Sequence, residues 1–175
     1  MIRQPILTLL CVATFATNAH AEIISTSDSH FILRHEGTTT LTPDAAWDRL
    51  VNHASWWHPD HTYSGDAGNL TLELTPGGLW REDWEGGAVA HGTIVFVDTG
   101  KTIRLEAPFG PLQGIGAYVI WTISLEAADD GTRIVFEESA VGPPAGDYAE
   151  LARAVDFVKG EAMRRLTGMD GSPSP

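Results

Sequence analysis

Residues 118–166, YVIWTISLEAADDGTRIVFEESAVGPPAGDYAELARAVDFVKGEAMRRL, decide how the chain is read. Val119, Trp121, Ile123 and Leu125 form an unbroken apolar face, which predicts a strand over Tyr118–Glu126. Asp129-Asp130-Gly131 turns the chain and Thr132–Val141 returns, with Ile134, Phe136 and Glu138 on one face. Gly142-Pro143-Pro144 ends that strand, and Asp147 with Glu150 opens a helix in a pattern resembling a capping box. Tyr148, Leu151, Val155, Val158, Ala162 and Leu166 then make one apolar stripe, a helix of about five turns at 3.6 residues per turn. Gly168 is its expected C-cap.

Working towards the N-terminus, strands of hairpin spacing precede this unit. Leu70, Leu72 and Leu74 alternate up to the turn Thr75-Pro76-Gly77-Gly78. Leu79–Trp84, Ala90–Val97 and Thr102–Ala107 follow, joined by Glu85-Gly86-Gly87 and Asp98-Thr99-Gly100. A Gly/Pro loop, Pro108 to Gly116, reads as a lid with Phe109 as its apolar contact. Upstream, Thr42-Pro43-Asp44 starts a short helix bearing Trp47, Leu50, Val51 and Ala54, which ends before His58 because of Pro59. His30–Leu41 alternates as a first strand, and Glu22 to Ser29 is polar and read as frayed. The class is therefore α+β: a curved seven-stranded antiparallel sheet wrapped around a long C-terminal helix, with a short helix after the first strand. Such a sheet leaves a wedge against the helix.

In this order, Thr42-Pro43-Asp44-Ala45-Ala46-Trp47, Trp56-Trp57, Pro76-Gly77-Gly78-Leu79-Trp80, Gly92-Thr93-Ile94, Gly131-Thr132 and the final helix resemble the START/polyketide-cyclase helix-grip superfamily (SRPBCC). The branch most resembled is that of the heat-shock chaperone ATPase activators, over about Phe31 to Leu166. The resemblance implies a helix-grip fold with a hydrophobic pocket between sheet and helix, in a family ranging from lipid carriers to cyclases; it fixes no substrate. The activator role is not carried over, because those relatives serve a cytosolic ATPase and this chain begins with an export signal.

That signal is Met1–Pro5 as a basic n-region, Ile6–Ala16 as an apolar h-region and Ala19-His20-Ala21 as the cleavage site. Residues 1–21 are thus expected to be a signal peptide, 22–168 one domain and 169–175 a disordered tail. The product is expected to be exported, and periplasmic in a Gram-negative host. Cys11 is the one cysteine of the 175 residues, and Leu10 before it does not suit lipidation. The mature chain then has no thiol, so disulfides, cysteine-bound zinc and a cysteine nucleophile are excluded. Eleven Lys+Arg against 23 Asp+Glu give a net charge of -12, which disfavours nucleic acid and anionic lipid. No stretch is long enough for the mature chain to insert in a membrane.

Six tryptophans carry the functional reading. The segment from Trp56 to Gly65 gathers Trp56, Trp57, His58, His61 and Tyr63, aromatic walls and hydrogen-bonding tips for a pocket rim. Trp80, Glu82 and Trp84 share one strand face, so Glu82 stands between indoles; desolvation is expected to raise its pKa and suit it to acid/base catalysis. His91, Phe109, Trp121 and Glu138 complete the candidate ligand contacts. The plain alternative is that the tryptophans fill the core, the histidines sit in water and the acids pair with basic residues. His53, His58 and His61, with Asp60 or His91, have ligand types for zinc but no zinc-motif spacing, so neither metal nor cofactor is assigned. Asn69-Leu70-Thr71 fits a glycosylation acceptor in a glycosylating host. No nucleophile elbow, phosphate loop or His-Glu-x-x-His is present. The expected partner is a small hydrophobic or aromatic molecule held in the cavity between sheet and C-terminal helix. The alternatives are a cyclase/dehydratase- or hydrolase-type enzyme using the same cavity, and an interaction module with a filled core.

Overall fold

A computed structural model describes residues 20–144 and 147–169. Eight strands form one antiparallel sheet: β1 His20–Thr26, β2 His30–Thr39, β3 Leu70–Leu72, β4 Leu79–Trp84, β5 Gly87–Asp98, β6 Thr102–Glu106, β7 Tyr118–Ala128 and β8 Gly131–Val141. Their order is β1-β2-β8-β7-β6-β5-β4-β3, so β3 to β8 run as the expected meander and β2 closes on β8. The helices are α1 Pro43–Val51, the single turn α2 Pro111–Gly114 within the 108–116 loop, and α3 Tyr148–Thr167.

The strand count of seven is corrected to eight, and the stretch read as frayed is β1. Its Ile23 and Ile24 are adjacent and both exposed. The strand exists because its backbone pairs with β2, from His20 opposite Glu36 to Thr26 opposite Phe31. An edge strand held this way leaves no period-two apolar signal. The signal-peptide reading falls mainly on residues 1–19, outside the described residues, as does the tail from 170. Met169 is not tail. Its N–H reaches Arg164 O at 2.8 Å beyond Gly168 in the left-handed conformation, which closes α3 with paired carbonyls.

In β2 the alternation places Phe31, Leu33, His35, Gly37 and Thr39 against the helix layer. Gly37 is needed there, since a Cβ would stand 2.9 Å from Met163 Sδ of α3. His35 Nε2 lies 2.9 Å from Asp156 Oδ1, a second fastening of α3 to β2. At the other end of the wedge, Thr42 caps α1 through Ala45 N–H, and Ala46, Trp47 and Leu50 are buried beneath it. Arg165 Nε donates to Trp56 O and Arg49 Nη2 to Arg165 O, tying α1 and the following loop to the end of α3. The core between these layers falls into two clusters, a larger one from Trp56, Trp80 and Trp121 to Phe136 and Met163 and a smaller one around Phe31, Leu33, Val119 and Tyr148, with Phe109 packed against both.

Candidate functional site

The site starts from a fault in the β4–β5 ladder. Trp80 pairs with Gly92 but Arg81 pairs with Ala90, so His91 is the extra residue of a bulge. Consecutive residues His91 and Gly92 are consequently both buried. A bulge of this kind re-aims one side chain while the strand continues. Here it brings His91 to Glu82, with Nε2 2.9 Å from Oε2. Glu82 is fully buried and also accepts the backbone N–H of Tyr63 (3.1 Å) and of Ser64 (2.6 Å). The strand face read from sequence is therefore the inner one: Trp80 and Glu82 are buried and Arg81 and Asp83 are exposed.

The expected raised pKa of Glu82 is corrected. Burial pushes it up, but the hydrogen bonds from Ser64, Tyr63 and His91 outweigh burial and hold it below the usual carboxylate range. It is an ionised anchor. Burial lowers the pKa of His91 against the pull of Glu82, so the ring is neutral. A neutral ring that donates Nε2–H keeps Nδ1 as its acceptor.

Around this pair lies a cavity of about 470 Å³ between the sheet, the 57–63 loop, the 109–112 loop and α3. Trp57, His61, Tyr63, His91 and Phe109 line it, together with Leu151, Val155 and Val158 of α3. Five of the expected contacts thus meet in one place. The others are placed differently. Trp56, Trp80 and Trp121 are wholly buried, with Trp57 at 5.0 Å and 6.3 Å from the latter two; none of the three reaches the cavity wall. Trp56 donates Nε1–H to Leu50 O. Trp84 stacks parallel on the exposed Tyr63 at 6.2 Å, supporting the rim from outside. Trp57 donates Nε1–H to His61 O and so stiffens the loop that carries both.

Glu138 is not at the cavity but behind it, 3.2 Å from Lys159 Nζ, both buried. Burial pushes Glu138 up and Lys159 down to about 7, each only partly offset by the other. Of the histidines considered together as metal ligands, His53 stands apart from His58 and His61. His53 is buried between Trp56 (4.8 Å) and Trp80 (5.3 Å), and burial lowers it to about 3. His58 and His61 instead converge on Glu161, their ligand atoms all within 4.8 Å. His61 Nε2 is 2.8 Å from Glu161 Oε2. However, His58 Nδ1 accepts Asp60 N–H at 3.1 Å, which puts the proton of the neutral ring on Nε2, the atom facing Glu161. That tautomer has no lone pair there for a metal, and Nε2 stands 3.6 Å from Glu161 Oε1, too far for a hydrogen bond. The trio fastens the rim loop to α3.

Sequence reading missed Glu161, Lys159 and the α3 contacts. The signal for Lys159 was present: it lies four residues after Val155 and three before Ala162, on the buried stripe.

No model of a known protein family and no curated protein matches the chain. Solved structures do. A conserved protein of unknown function from Enterococcus faecalis, EF2215, superposes with a TM-score of 0.57 at 15% identity over 89% of this chain and 80% of that one. The di-domain ARO/CYC StfQ of the steffimycin biosynthetic pathway gives 0.55 at 13%, over 81% of this chain and half (50%) of its own. The Aha1 dimer from Colwellia psychrerythraea gives 0.53 at 14%, over 78% and 96%. At such identities the likeness is one of fold, the helix-grip arrangement of a curved antiparallel sheet against a long C-terminal helix.

Proposed function

We propose that the protein is an exported carrier for a small hydrophobic or aromatic molecule, held between the sheet and α3. The lining carries this reading. Aliphatic side chains of α3 face Trp57, Tyr63 and Phe109 across about 470 Å³, and His61 and His91 are the imidazoles that orient polar atoms. That volume falls in the range of about 300–1,000 Å³ used by drug-sized ligands. The acidic surface favours a small neutral guest over nucleic acid. Export rests on residues 1–21; cleavage after Ala21 leaves Glu22–Thr26 of β1 to pair with β2. Native mass spectrometry of the protein from its own host should show a small molecule co-purifying at near one per chain. Absence of any such mass, with no quenching of tryptophan fluorescence by aryl probes up to millimolar concentration, would overturn the reading.

A second reading is favoured by the Glu82–His91 pair. A neutral His91, oriented by an ionised Glu82, is placed to take a proton from a guest in a cyclase/dehydratase- or hydrolase-type reaction. His91→Gln would then abolish turnover of a candidate substrate while leaving its affinity within a few-fold. Equal turnover in the variant removes this reading.

A further inference from the structure

We propose that Lys159 is a reactive amine serving this cavity, condensing with the carbonyl carbon of a small aromatic aldehyde or ketone to form an imine. The inference rests on the cavity reading above and names its guest class. Lys159 follows Val158 on α3, and Val155 and Val158 line the cavity. Its Nζ is 4.4 Å from the Phe109 ring centre and 5.7 Å from that of Trp57, two rings of the cavity wall. Those rings are the partition between amine and guest. On its inner side Nζ stands over Trp121 at 2.8 Å from the ring centre. It makes no well-aligned hydrogen bond among the described residues, although Glu138 Oε2 is 3.2 Å away. Phe109 lies on the 108–116 loop, directly before Gly110 in a positive-φ conformation (59°), so the partition hangs on a backbone position where few side chains would be tolerated.

The charge environment suits the chemistry. Glu138 of β8 faces the amine, and His35 of β2, His53 after α1 and His91 of β5 are the other titratable groups within its field. Burial brings Lys159 to about 7, so free amine is present at neutral pH. An ordinary lysine near pKa 10.4 is free base in only about one molecule in a few thousand at pH 7. Amines desolvated in apolar sites are the ones that form Schiff bases.

In the step itself the Nζ lone pair attacks the carbonyl carbon, a C–N bond forms and the C=O electron pair moves to oxygen. Glu138 takes one proton from Nζ and returns it to that oxygen, giving the carbinolamine. The second Nζ proton leaves with the hydroxyl as water, and the C=N bond closes.

The chain has only two lysines, and Lys101, whose side chain is 71% exposed, is an internal control. Treating the protein with 2-naphthaldehyde and cyanoborohydride at pH 7, followed by peptide mapping, should alkylate Lys159 at least about tenfold more than Lys101, since Lys159 is the desolvated amine beside the cavity. Phe109→Ala should raise the Lys159 rate several-fold and leave Lys101 unchanged. Binding of the carbinol analogue, 2-naphthalenemethanol, is followed in parallel by tryptophan quenching. If the carbinol binds but Lys101 is labelled in preference to Lys159, the imine proposal is overturned and the carrier reading stands. If the carbinol does not bind, both fall.

Discussion

His91 Nε2 donates to Glu82 Oε2 across 2.9 Å, and the same carboxylate gathers the N–H groups of Tyr63 and Ser64. One buried acid thereby joins strand β4, the bulge of β5 and the rim loop. Three donors share two oxygens, so the carboxylate sets where the wall of the cavity stands.

Glu82→Gln replaces one acceptor oxygen by an amide that is itself a donor, and at least one buried N–H loses its partner. The expected loss is about 1–3 kcal/mol in urea unfolding. In NMR spectra the His91 ring should lose its fixed Nε2–H tautomer, and Tyr63 and Ser64 amides should exchange faster.

Acid should destabilise the fold from near neutrality. His53, His35 and His91 are all lowered by burial, His53 from 6.5 to about 3. Below 6.5 the unfolded chain binds protons that the folded one does not, so stability falls as pH drops, by up to about 1.4 kcal/mol per pH unit for His53 until pH nears its folded value. Glu82 adds to this further down: its lowered pKa stabilises the fold above the ordinary 4.5 and that contribution is lost as pH falls through its folded value. Denaturant midpoints from pH 7.5 to 4.5 should show the decline, and His53→Leu should flatten it by about one proton between 6.5 and 4.5. An unchanged slope in that variant would contradict the assignment.

Ala154 is exposed on α3 at the cavity edge. Ala154→Trp should fill the opening and weaken an aryl probe at least about tenfold, equivalent to about 1.4 kcal/mol. A melting temperature within a degree or two of the parent would show that the loss is one of space.

Lys159 and Glu138 should behave as a pair. Either Lys159→Met or Glu138→Leu leaves its partner alone in an apolar interior, yet that partner can shed its charge by proton exchange, which limits the loss to about 1–3 kcal/mol. The double variant should be at least as stable as either single one, because a well-packed apolar pair replaces two desolvated charges. Urea unfolding of the four proteins as a cycle measures the coupling.

The meander, both major helices and the inward face of β4 were legible because each repeats at its own period: two for Trp80-Arg81-Glu82, 3.6 for Leu151, Val155 and Val158. β1 was not, since an edge strand needs only a partner's backbone. The tryptophans were legible as a cluster but not as individuals. Trp57 reaches the cavity while Trp56 next to it turns into the core, a difference set by the 3-10 turn His53–Ser55. His91 depended on a bulge whose displaced parity no alternation rule supplies, and Glu161 is 100 residues from the His61 it holds.

Strand β2 finds its neighbour very late: Arg34 meets Glu137, 103 positions further on, and no nearer segment offers β2 a second edge on that side. A ribosome must therefore deliver almost the whole polypeptide before the sheet can close, and loop-closure entropy makes that step slow. Until then β1 and β2 stand as a hairpin whose free edge waits for β8.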